Sequence, residues 1–188
     1  MAKPLSEMSL QELWQLFPII LTEHQEQWKD WFEEEGATLH KLFSQKQVIR
    51  ISHMGSTAIK GIWAKPTIDI LVEVSPKCDL NEAKQVLIAH GYISMSESEN
   101  RISLNKGYSV SGFAQKVFHL HLRYLGDNDE LYFRDFLDDN PEIAKEYEKL
   151  KLFLWKKYKH DRDGYTQSKA TFILEHTKRA KKKYGNRY

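Results

Sequence analysis

The sequence predicts an α+β domain, with a mixed β-sheet core flanked by helices and a helical C-terminal part. Three observations carry that expectation. A strand over residues 48–54 breaks at a glycine and is followed by a second strand, residues 67–74, rich in β-branched residues. A helical stretch and returning strands then occupy the chain up to residue 125. From Asp129 onward the apolar residues recur at helical spacing. The 188 residues suffice for one substantial domain, its core over about residues 19–125 and its C-terminal helices over about 129–184.

Residues 1–8 read as frayed. Ser9 reads as the cap of a short helix ended by Pro18. From Thr22, Trp28, Trp31, Phe32, Leu39, Leu42 and Phe43 keep helical spacing, and both tryptophans read as core. In the strand 48–54, alternation puts Ile49, Ile51 and His53 on one face and Val48, Arg50 and Ser52 on the other. Gly55 permits a tight turn, and Ser56 and Thr57 are expected to cap a helix whose free N–H groups could cradle a phosphate. Pro66 closes a turn before the strand 67–74, where Asp69 is the odd member. A carboxylate among apolar neighbours needs a cation, a metal or a hydrogen-bond donor. Glu73, on the same face, reads as a strand-end surface acid.

Asp79 with Glu82 makes a capping-box-like start to a helix carrying Ala83, Val86, Leu87 and Ala89, and Gly91 stops it. Short strands are expected at 92–95 and 101–104. A turn region holds Gly107 and Gly112, and a strong strand follows at 116–125. A helix over 129–137 precedes Asn140-Pro141, a restart signal. Ile143, Tyr147, Leu150, Leu154 and Tyr158 then keep helical spacing up to a break at 161–164. The last helix, from about Tyr165, carries Ala170, Ile173 and Leu174 and ends in a basic tail that reads as solvated.

A formal charge of +2 argues against a strongly nucleic-acid-binding surface. The single cysteine, Cys78, forms no internal disulfide, which suits a reducing, cytoplasmic setting. The first residues lack a signal peptide's apolar stretch, and no run is long enough to span a membrane.

His53, Gly55, Ser56, Thr57, Ala58, Gly61, Ala64, Lys65, Pro66, Ile68 and Asp69 together resemble the HxGSTA…G…AKPxID pattern of the GrpB-like family. That family is part of the nucleotidyltransferase superfamily, whose signature is Gly-Ser, a gap of about this length and an acidic strand. The resemblance covers about residues 19–173 and includes the HLHL segment around His119 and His121. It implies a nucleotidyltransferase-like fold and metal-dependent transfer of a nucleotidyl group from a nucleoside triphosphate to a small acceptor. Asp69, His119 and His121 would hold a divalent metal, and the two imidazoles favour Zn²⁺ or Mn²⁺ over Mg²⁺. Gly55, Ser56, Thr57 and Lys65 would take phosphate oxygens. Arg101 and Lys106 would stabilise developing charge, and Tyr165 and Lys169 would wall the substrate. Leu71 stands where active members of the superfamily carry a second carboxylate. That departure keeps two rivals open, a non-catalytic nucleotide or phosphometabolite binder and a metal-dependent phosphohydrolase. The chain has no GxxxxGK[ST] loop, so no kinase is expected.

Overall fold

The computed structural model describes residues 3–44 and 47–188. Five strands form one mixed sheet in the order β1-β2-β5-β4-β3. They are β1 (Val48–Met54), β2 (Ile68–Val74), β3 (Ile93–Glu97), β4 (Arg101–Ser109) and β5 (Gly112–Tyr124). Only the β2–β5 pair is parallel; the other neighbours are antiparallel. The α+β class with a helical C-terminal part is therefore as expected.

The two faces of the sheet have different fates. Ile68, Ile70, Val72 and Val74 of β2 align with Phe118, Leu120 and Leu122 of β5, and Ile102 and Leu104 of β4 continue the rows. This face is covered by α2 (Gln27–Leu42), through Trp28 and Leu39, and by α3 (Leu80–Ala89), through Leu80, Ala83 and Leu87. Asp79 caps α3 by accepting from the Asn81 and Glu82 amides. The opposite face carries rows of polar side chains. Asp69, His119 and Asn105 form one row, Leu71, His121 and Ser103 the next, and Glu73, Arg123 and Arg101 the third.

The remaining helices are α1 (Leu10–Leu16), α4 (Asp129–Asp138), α5 (Pro141–Lys157), α6 (Arg162–Gln167) and α7 (Ala170–Tyr184). Ser9 and Glu12 close a capping box on α1. Phe133, Phe136, Tyr147 and Ala180 bring α4, α5 and α7 into a second apolar cluster that also buries Ile59 and Ile62. Ile19, Leu21, Leu154 and Tyr165 make a third beside the open half of the polar face. Trp63 packs there too, and its backbone amide donates to Glu148.

Several expectations are corrected. A β-bulge between Val48 and Arg50 puts Val48 with Ile51 on the core face and leaves Ile49 half in water. Glu73 is not a surface acid; it is 0% exposed, because Arg50, the Gly126 amide and Asn128 all donate to it. Gly107 does not end a strand: at φ 91° it sits in a register shift within β4, so β4 and β5 run longer than expected. Ser56–Ala58 is a single 3₁₀ turn, so no helix N-terminus stands ready for phosphate. α6 starts inside the expected break, and Tyr165 lies on it rather than on α7. The frayed segment expected at 1–8 falls in part outside the described residues; Leu5–Glu7 form a 3₁₀ turn. No helix is long and apolar enough to cross a membrane, among the described residues.

Candidate functional site

The polar face is open where β2 and β5 meet the loop before β2 and the start of α6. A cleft of about 280 Å³ lies there, lined by Asp69, His119 and His121 from the sheet and by Ser56, Lys65 and Thr67 from the β1–β2 connection. Helical residues close it: Lys151 from α5, Arg162, Tyr165 and Thr166 from α6, and Lys169 just before α7. Ile19 completes the rim.

Asp69 is centred by its surroundings. Gly55, at φ 72°, approaches so closely that a Cβ there would stand 2.9 Å from the Asp69 carboxyl carbon. His119 Nδ1 is 3.4 Å and His121 Nε2 3.8 Å from Asp69 Oδ1. Burial opposes ionisation of Asp69, but hydrogen bonding and charge from the two histidines outweigh it and hold the carboxyl well below its usual range. Burial pushes the His119 pKa down, against the pull of Asp69.

A hydrogen-bond chain fixes the His119 tautomer. Arg162 Nη2 donates to the Tyr108 hydroxyl over 3.4 Å, and that hydroxyl lies 2.7 Å from His119 Nε2. Nδ1 faces the ionised Asp69 carboxylate, so a neutral ring carries its proton there and Nε2 accepts from the Tyr108 hydroxyl. The register shift at Gly107 lets Tyr108 reach this side of the sheet. His53 is assigned in the same way. Thr57 Oγ1 donates to the Thr67 carbonyl, so His53 Nε2 donates to Thr57 over 3.0 Å. His53 also stacks on Phe32, and Arg134 holds its carbonyl. Thr57 is buried and shapes the turn rather than lining the cleft.

Four cations surround the one carboxylate. Burial lowers Lys65 to about 7, with Arg162 adding repulsion, and lowers Lys151 to about 7, with Lys169 adding repulsion. Lys169 is lowered to about 8 by burial, partly offset by Asp69. Lys169 Nζ lies 4.2 Å from the Tyr165 ring centre. Lys151 is 1% exposed, donates to the Trp63 carbonyl and lies with Nζ 4.9 Å from the Tyr147 ring centre.

The expected residues Asp69, His119, His121, Ser56, Lys65, Tyr165 and Lys169 thus share one cleft. Arg101 and Lys106 do not. Arg101 lies two rows along the sheet from Asp69, about 13 Å by strand rise, and binds Asp127 at 2.5 and 2.6 Å. Lys106 is on the other face, paired with Glu35 of α2 at 2.8 Å. Lys151, Arg162 and Thr166 are additions. Lys151 was traceable in principle, since it sits on the apolar stripe between Tyr147 and Leu154. Arg162 carries no local signal.

The expected metal site does not fit these residues as placed. His119 commits Nε2 to the Tyr108 hydroxyl and turns Nδ1 toward Asp69, and four basic side chains line the same cleft. No three His, Cys, Asp or Glu side chains are arranged to hold a metal ion, among the described residues.

Fold and cleft define an α+β protein whose sheet presents one carboxylate and two imidazoles inside a ring of four cationic side chains. The chain belongs to the GrpB family: the family model described as GrpB protein matches residues 18–179. It is 38% identical over 166 residues to the glutamate-rich protein GrpB of Alkalihalophilus pseudofirmus, covering 84% of this chain and 92% of that one. The crystal structure of the conserved protein GrpB from Enterococcus faecalis is similar at TM-score 0.75 and 31% identity, over 88% of this chain and 99% of that one. The Cid1 poly(U) polymerase with Mg and 3′-dATP aligns less well, at TM-score 0.48 and 12% identity over 85% of this chain and 51% of that one, too little to fix a shared activity.

Proposed function

We propose that the cleft binds the phosphate groups of a small phosphorylated metabolite, nucleotides included, and does so without a resident metal. The observation that carries this reading is the ring of Lys65, Lys151, Arg162 and Lys169 around the single carboxylate Asp69. Three of these cations have depressed pKa values because they are buried together without enough counter-charge. A bound phosphate supplies the missing charge, and Ser56, Thr166 and Lys151 supply donors. His121 and the Tyr108–His119–Asp69 chain would face the bound group, positioned to hold or move a proton at His121 Nε2.

Metal-dependent nucleotidyl transfer is the second reading. The close packing of Gly55 on Asp69, in the order the GrpB-like resemblance implies, favours it. Leu71, buried with Met54 and Leu131 in place of a second carboxylate, weighs against it. Titration calorimetry with inorganic phosphate, pyrophosphate and ATP, with and without Mg²⁺, Mn²⁺ or Zn²⁺, separates the two. Metal-free binding of phosphate or pyrophosphate that weakens at least tenfold in Arg162→Ala supports the first reading. No binding of any of the three anions without metal sinks it. Pyrophosphate release from ATP that requires metal, with an acceptor present, establishes the second.

A further inference from the structure

An apolar recess opens beside the cationic cleft. It has a volume of about 150 Å³ and is walled by Pro18, Ile20, Pro66, Phe113 and Val117. Lys65 and Thr67 line both this recess and the cleft, and Lys65 Nζ lies 5.4 Å from the Phe113 ring centroid. The wall is preorganised. Phe113 packs with its ring centroid 5.0 Å from that of Phe17 and 5.3 Å from that of Tyr108, and Tyr108 in turn contacts His119. Ile20 keeps 42% of its surface exposed here, an apolar side chain left uncovered next to a charged site.

We infer that the recess is a specificity subsite for the apolar arm of the phosphorylated ligand, an arm the size of one six-membered ring or a branched five-carbon chain. This rests on the phosphate-binding reading above. The size follows from the volume: a dry, apolar cavity of about 150 Å³ holds one benzene. Continuity through Lys65 sets the polarity of the ligand. Its phosphate lies toward Arg162 and Lys169, and its arm lies against Phe113 and Ile20.

The test compares methyl phosphate and phenyl phosphate by calorimetry on the full chain, as wild type, Ile20→Asn and Phe113→Ser. The ratio of the two affinities is taken within each variant, so a general loss of binding or stability does not imitate the effect. Phenyl phosphate is expected to bind at least tenfold more tightly than methyl phosphate in the wild type, and the ratio to fall toward one in both variants. A wild-type ratio near one, with both esters binding, overturns the subsite and leaves the phosphate cleft standing. A ratio unchanged by both substitutions also overturns it. Absence of binding by either ester, and by inorganic phosphate, overturns the cleft and the subsite together.

Discussion

Gly55 rests directly against the carboxylate of Asp69: a Cβ at position 55 would lie 2.9 Å from its Cγ and 3.0 Å from its Cβ. The glycine is also at φ 72°, where an L side chain is strained. One residue therefore sets both the turn after β1 and the position of the acid on β2. Gly55→Ala is expected to cost roughly 2–4 kcal/mol in urea unfolding, because the new Cβ collides with the Asp69 side chain. A stability within about 0.5 kcal/mol of wild type would show that the turn tolerates a side chain.

Leu71 stands on the site face of β2, yet α4 covers it. It is 0% exposed and packs with Met54 and Leu131. Leu71→Asp, the change that would restore a second carboxylate, is expected to destabilise the fold by about 3 kcal/mol or more and to create no metal affinity. A folded Leu71→Asp variant that gains a metal-dependent melting shift would contradict this.

Glu73 ties three elements together through Arg50 on β1, the Gly126 amide and Asn128 ahead of α4. Glu73→Gln leaves Arg50 facing a neutral amide, at a cost of roughly 2–4 kcal/mol. Thermal denaturation checks it; an unchanged melting temperature would mean that Arg50 finds water instead.

The lysines of the cleft make binding and stability depend on pH in opposite directions. Lys65, Lys151 and Lys169 lose protons at about 7, 7 and 8 in the fold, against an ordinary 10.5. Between those values the unfolded chain holds more protons, so these groups make stability rise with pH from near neutrality upward. A bound phosphate favours the charged forms, so the complex takes up protons. Affinity is expected to fall as pH rises from 7 to 9, by up to about tenfold per unit for each lysine reprotonated. Calorimetry in buffers of different ionisation enthalpy reads the proton uptake at pH 8. No uptake there would mean that the lysines are already charged in the free protein.

Much of the sheet was legible locally. Alternation in β1 and the β-branched run of β2 mark their strands, and Asp69 stands out because a lone carboxylate in such a run needs a partner. Asp79 and Asn140-Pro141 mark helix starts because capping and the fixed φ of proline act within a few residues. The glycines misled. Gly107 reads as a turn residue, but positive φ serves a bulge equally well, and β4 continues through it. Arg101 and Lys106 matched a family pattern by position, but strand parity sends Lys106 to the α2 face, and pairing with Asp127 takes Arg101 away from the cleft.

The sequence by itself determined the strands, the Gly55–Asp69 signature and the family, because those depend on short-range periodicity, backbone stereochemistry and matched residue types. Only the tertiary structure decided the chemistry around Asp69. Lys151 and Arg162 lie 82 and 93 positions from Asp69 along the chain, and they become its neighbours when α5 and α6 close over the sheet. Glu73 became a buried anchor and Leu71 a packed core residue by the same means. The charge balance of a cleft is a sum over elements distant in sequence, and no local pattern contains that sum.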